Sequence, residues 1–128
     1  MQQRTHLSID AQLVGAATHI EQGRASVRLV ATGPMAADER TLVHGGFTFG
    51  LADYAAMCAV NDPFVVLGAA ESKFLAPVRV GQEMVAQAEV IEQKGRKRTV
   101  EVQVAVEDRL VMTGTFTCFV LDQHVLDG

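Results

Sequence analysis

The sequence has no tryptophan, one tyrosine, two cysteines and three prolines among its 128 residues. With aromatics this scarce, the core has to be built from Val, Ala, Leu and Met, which favours sheets with an inserted helix. Cys58 and Cys118 both lie in apolar surroundings, so they read as buried thiols behaving as small hydrophobes, not as a disulfide or a metal site. No run approaches the roughly 18 apolar residues of a membrane span. The segment Met1 to Gln12 is polar and lacks the apolar stretch of a signal peptide, so the expectation is a cytoplasmic protein with no membrane association. An excess of positive charge is also missing: the formal net charge of -4 argues against general affinity for nucleic acid, one local basic group aside. No two histidines have a ligand spacing such as His-x-x-x-His. His6, His19 and His124 therefore read as ordinary surface or strand, and no metal is expected.

What remains is a chain that is 48% apolar and long enough for one real core, read as a single domain over residues 1–128. Met1 to Asp10 shows no period and reads as a loose arm. Two strand-like runs, Leu13 to Glu21 and Arg24 to Ala31, flank Gln22-Gly23 as a hairpin. Thr32 to Val43 contains Gly33-Pro34 and the polar group Asp38-Glu39-Arg40-Thr41, and reads as a loop. Small apolar residues then run to Asn61-Asp62-Pro63, where proline ends a helix that starts near Gly45 or Gly46. This helix has no polar face, so it should be buried on most sides. Four more strand runs follow: Phe64 to Leu75, Glu83 to Glu92, Arg98 to Glu107 and Leu110 to Leu121. One helix and about six strands joined by short turns predict an α+β fold, a curved antiparallel sheet wrapped around one long central helix.

The chemistry concentrates in that helix. Asp53 is the only charged side chain between Phe47 and Val60, and a carboxylate in apolar packing needs a partner, water or a task. It could serve as nucleophile or general base, or be a structural carboxylate bonded to its surroundings. Tyr54 points about 100° away and cannot be assumed to be its partner. Gly45 and Gly46 at the helix N-terminus offer free N–H groups and the helix dipole to a partly negative oxygen, an oxyanion-hole arrangement; alternatively they only permit a tight turn. Eight positions separate Gly45 from Asp53, about 12 Å of rise on one helix, so one reacting carbonyl cannot touch both. If both act on it, they come from two copies of the helix packed antiparallel across a two-fold axis, and the protein is an obligate dimer.

His44-Gly45-Gly46, the acid nine residues after the histidine, and the segment Phe74-Leu75-Ala76-Pro77-Val78-Arg79-Val80-Gly81 together resemble the hotdog-fold acyl-CoA thioesterases. The phenylacetate-pathway type and its human relative are the most similar, and the resemblance spans roughly Ala11 to Val120. It implies a homodimer with two antiparallel helices side by side, often paired again into a homotetramer. The backbone N–H of Gly45 would polarise the thioester carbonyl, while Asp53 of the other subunit attacks it or activates water. His44 would have an orienting role. No metal or separate cofactor is implied, since coenzyme A is part of the substrate. Two positions depart from the pattern. Asp38 stands where the family commonly has Asn, so it either takes over that role, alters the pH profile or is a solvated loop residue. Ala56 and Met57 occupy a region where some members carry a hydroxyl.

The run Lys94-Gly95-Arg96-Lys97-Arg98 lies at a turn between strands, either as solvated surface or as a seat for the phosphates of coenzyme A. Arg79 is a weaker candidate for the same task. Met57, Phe64 and Phe74 are candidates for an acyl pocket and equally for plain core. Two other activities fit the same fold. One is a hydratase or dehydratase using Asp38 and His44 as an acid-base pair on an enoyl or hydroxyacyl thioester. The other is a non-catalytic acyl-CoA binding module, although no DNA-binding segment that would give a sensor an output is read here.

Overall fold

Period-two runs lay out the sheet. In the computed structural model, which describes all 128 residues, six strands pair antiparallel throughout: β1 (Ala16–Glu21), β2 (Arg24–Val30), β3 (Val65–Phe74), β4 (Glu83–Lys94), β5 (Lys97–Val106) and β6 (Arg109–Val120). Their spatial order is β1-β2-β4-β5-β6-β3. Along β5, Val100, Val102, Val104 and Val106 are buried while Glu101 and Gln103 face outward, so one face of the sheet is apolar and the other solvated.

The apolar face wraps a helix, α2 (Gly45–Val60), whose Leu51, Ala52, Ala55, Ala56, Met57, Cys58 and Ala59 are all buried. Because these residues are mostly small, the helix can lie close to the valines of the sheet without any aromatic filler. Asn61 ends it in the left-handed conformation (φ 52°), its N–H bonded to the Met57 carbonyl at 2.8 Å. The predicted architecture and the helix limits are therefore found as expected.

The N-terminal region departs from the sequence reading. A short helix, α1 (Ala11–Val14), precedes β1, so the first strand begins at Ala16 and not at Leu13. Its cause is local: Asp10 caps α1 by accepting the Gln12 N–H, and Gly15, at φ 93°, closes it with a bond to the Ala11 carbonyl. Nor is Met1 to Asp10 a loose arm. Asn61 clamps it from both sides, its Oδ1 accepting the Arg4 N–H at 2.7 Å and its Nδ2 donating to the Gln2 carbonyl at 2.9 Å. Gln3 Nε2 donates to the Tyr54 hydroxyl at 2.8 Å, and Thr5 is buried. The arm is thus bound along the C-terminal half of α2.

These pairings give the sheet two distinct ends. Gly45 lies beside the Phe74 ring, and Phe74 pairs with Met112 at the start of β6. At the opposite end lie the β4–β5 turn and the exit of α2 into β3, with Lys97 facing Phe119 and Val65 facing Val120. Helix α2 runs from the first end to the second.

Candidate functional site

The chain enters α2 through a short antiparallel bridge between Ala36 and Val43, and the His44 N–H donates to the Met35 carbonyl at 2.9 Å. His44 occupies the N-cap position, yet its side chain makes no capping bond. Its ring folds back over Gly46, so that a Cβ added there would meet Cδ2 and Nε2 of His44 at 3.1 Å, and it stands edge-on to Phe47 with centroids 6.2 Å apart. Neither Gly45 nor Gly46 has positive φ. Turn chemistry is therefore not the reason for these glycines; at Gly46 the close approach of the His44 ring is.

The first N–H groups of a helix have no carbonyl one turn back to bond. Those of Gly45 and Gly46 find no other acceptor, and they sit at the positive end of a 16-residue helix. Gly45 opens into a cleft of about 370 Å³ walled by Val43, Thr48, Phe74, Leu75, Pro77 and Val78. Phe74 thus lines this cleft, whereas Met57 belongs to the core.

Two turns along, Asp53 is half-buried, and its Oδ1 is cut off from solvent without a hydrogen-bond partner. Burial holds its carboxyl above the usual carboxylate range, partly offset by the positive charge of His6. Tyr54 is engaged by Gln3 and not by Asp53. Asp53 also lies near Cys118, whose thiol is pushed up to about 12 chiefly by its own burial and secondarily by that carboxylate. Gly45 and Asp53 are separated by about 12 Å of helix rise and about 80° of rotation, so within one chain they do not converge.

Asp38 is exposed at the tip of the preceding loop, where its Oδ1 accepts the N–H groups of Arg40 (2.9 Å) and Leu42 (3.2 Å). It holds its own turn and makes no hydrogen bond to His44, so the acid-base pair a hydratase would need is not assembled in this chain. Arg79 bridges to Leu42 and, with Asp38, Arg40 and Pro77, walls a second cleft of about 220 Å³. Pro77 is common to both clefts, which puts Arg79 next to the Gly45 end. Arg40 is a further candidate by its place on this cleft wall; in the sequence it sits inside a polar loop group with no spacing to mark it.

The basic turn is at the other end of the sheet. Gly95, at φ 59°, turns β4 into β5. Arg96 pairs with Asp122, and Arg98 Nη1 donates to the Gly95 carbonyl at 2.8 Å, while Lys94 and Lys97 make no ion pair. Arg98 is opposite Cys118 in the β5–β6 ladder, so this turn shares its end of the molecule with Asp53. The candidate residues of one chain therefore fall into two separate groups. Gly45, its cleft, Arg40 and Arg79 lie in one, and Asp53 and the basic turn in the other.

No group of three or more His, Cys, Asp or Glu side chains converges, and no helix is long and apolar enough to cross a membrane.

Comparison with known proteins shows the family of the chain. The family model "Thioesterase superfamily" matches residues 41–113, more than half of the chain. Methylthioribose-1-phosphate isomerase of Aquifex aeolicus is 47% identical over 93% of this chain, which spans 26% of that protein. Transcription factor FapR of Caldanaerobacter subterraneus is 30% identical over 92% of this chain, which spans 60% of it. The chain thus spans less than two thirds of both curated relatives. Among solved structures, an uncharacterized protein from Pyrococcus horikoshii superposes with a TM-score of 0.98 at 54% identity, covering 99% of this chain and 98% of its own. A mutant of the phenylacetic acid degradation protein PaaI from Thermus thermophilus gives a TM-score of 0.78 at 28% identity, covering 87% and 97%.

Proposed function

Because the chain belongs to the thioesterase superfamily, we propose that it is an acyl-CoA thioesterase of the phenylacetate-pathway type, working at a site shared between two antiparallel copies. The observation that carries this reading is the buried, unpartnered Oδ1 of Asp53 on the same helix as two unbonded N–H groups. A carboxylate oxygen buried without a partner raises the energy of the folded state, and such groups cluster at functional sites.

In a two-fold pair, the Gly45 half-site of one copy meets the Asp53 half-site of the other. The thioester carbonyl oxygen takes the Gly45 N–H, with the acyl chain directed into the cleft beside Phe74. Asp53 of the second copy removes a proton from water, whose oxygen attacks the carbonyl carbon, or attacks that carbon itself, in which case water then hydrolyses the mixed anhydride left after the thiolate departs, releasing the free acid and the Asp53 carboxylate. The C–S bond breaks as the tetrahedral intermediate collapses, and the thiolate takes up a proton to leave as coenzyme A. Arg40 and Arg79 from the first copy, with Lys94, Arg96, Lys97 and Arg98 from the second, supply cations for the nucleotide phosphates. His44 orients the helix entrance through its contact with Gly46.

A second reading is favoured by the likeness to FapR, a transcription factor: a module that binds acyl-CoA without cleaving it. Thiol release from a panel of aromatic and aliphatic acyl-CoA thioesters, with wild type beside Asp53→Asn, separates the two. Release that the substitution abolishes supports hydrolysis. Tight binding without release by wild type overturns it.

A further inference from the structure

The cleft at the Gly45 end has two kinds of wall. Its inner wall is fixed: Val43, Thr48, Val78 and Val111 are all buried, and the segments that carry them are tied together, the Val43 N–H donating to the Val78 carbonyl and the Leu75 N–H to the Val111 carbonyl, both at 2.8 Å. Its outer wall is the opposite. Phe74 is 55% exposed, more than any other aromatic side chain of the protein, and Leu75 beside it is exposed as well. The Phe74 ring does not stand free, however. It lies against the start of α2, with Cε1, Cδ1 and Cζ at 3.4, 3.7 and 3.9 Å from the place a Gly45 Cβ would take. The most exposed aromatic ring thus stands next to an unbonded helix N–H, with a wall of buried valines in the same cleft.

We propose that this cleft selects acyl groups that are plain hydrocarbon, and that Phe74 is the specificity-determining residue that limits their size. This rests on the reading of Gly45 as the donor to the thioester carbonyl.

The selection follows from what the side chains of the cleft offer. Thr48 is the one polar side chain among them, and its hydroxyl is engaged in the core, donating to Met84 Sδ at 3.4 Å. No charged side chain lines the cleft. Arg40 and Arg79 belong to the neighbouring cleft, which shares only Pro77 with this one. A hydroxyl or carboxylate carried in by an acyl group would lose water and meet no side-chain partner, whereas a hydrocarbon chain between the Phe74 ring and the valines buries apolar surface on both sides. Phe74 can set the size limit because it is free of other duties. It ends β3 opposite Met112, and its exposed ring fills no part of the core, so its bulk acts on the cleft and not on the fold.

The test measures thiol release from acyl-CoA pairs of equal chain length, hexanoyl against 3-hydroxyhexanoyl and butanoyl against succinyl, and from an unsubstituted series of increasing length, with wild type, Phe74→Leu and Phe74→Ala. Wild type should favour the hydrocarbon member of each pair by about 10-fold to 10²-fold in kcat/KM. Phe74→Ala should raise kcat/KM for long chains relative to short ones by about 10-fold, with Phe74→Leu between it and wild type. A polar member turned over as well as its hydrocarbon partner overturns the proposal. So does a Phe74→Ala variant that melts lower and slows every chain length alike, the result of a purely structural wall. Binding of S-hexyl-CoA and its 3-hydroxyhexyl counterpart, thioethers with no ester to cleave, is titrated in parallel. If no thioester is hydrolysed, the thioesterase reading fails, while tighter binding of the hexyl compound, with the preference for chain length shifted in Phe74→Ala, still supports the selectivity of the cleft; equal binding of the two overturns it.

Discussion

At the scale of single residues, Asp53 should separate activity from stability. Its carboxyl is raised by burial, so the folded state prefers the protonated form. Stability from this group is complete below the unfolded-state value and is lost as pH rises through the folded one. Asp53→Asn should therefore melt at a higher temperature than wild type at neutral pH, and the gain should shrink as the pH is lowered and the wild-type carboxyl protonates. The same substitution should lower thiol release by about 10² or more. A melting series across pH beside the assay checks both, and an Asn variant less stable than wild type at neutral pH would mark Asp53 as a structural carboxylate. Gly45 should separate the two quantities as well. A Cβ there meets the Phe74 ring at 3.4 Å, an ordinary contact, and alanine is favoured over glycine in a helix by about 1 kcal/mol. Gly45→Ala should fold at least as well as wild type yet turn over more slowly, because the methyl group narrows the approach to the N–H. Loss of stability with unchanged turnover would return the glycine to a packing role.

At the scale of elements, the sequence was legible where structure is encoded locally. Gly45 and Pro63 bracket α2, and the alternation of Val100 to Val106 marks β5, because each signal lies within a few residues of the structure it specifies. The arm was illegible for the opposite reason. Its order comes from hydrogen bonds between residues more than fifty positions apart, Gln3 with Tyr54 and Arg4 with Asn61, and no local pattern carries them. Asn61, visible only as part of a terminating group, turns out to do two tasks at once, ending α2 in a left-handed conformation and gripping the arm. Substitution can divide those tasks. Asn61→Gly keeps the backbone preference and loses the grip, whereas Asn61→Ala loses both. Each should be destabilised by about 1–3 kcal/mol for the hydrogen bonds removed, with alanine the worse of the two, as chemical denaturation would read. Equal loss in both variants would mean that the left-handed cap contributes nothing.

At the scale of the whole molecule, the proposed reaction asks for two chains, because of how the groups are distributed along the sheet. Gly45, its cleft, Arg40 and Arg79 lie at one end, while Asp53 and the basic turn lie toward the other, and α2 runs between them. Two helices side by side and antiparallel bring unlike ends together, so each of the two sites of a dimer would draw on both chains. Subunit mixing tests this without a structure of the complex. Asp53→Asn leaves the Gly45 half-site intact, and Gly45→Val, whose larger side chain blocks the N–H, leaves the Asp53 half-site intact. Each variant alone should be inactive. When the two are unfolded together and refolded in equal amounts, half of the dimers are mixed, and each mixed dimer has one site with a sound glycine and a sound aspartate. Activity should return to about a quarter of the wild-type value. If the reacting groups belonged to one chain, every site in the mixture would carry a defect, and refolding the two variants together would recover nothing.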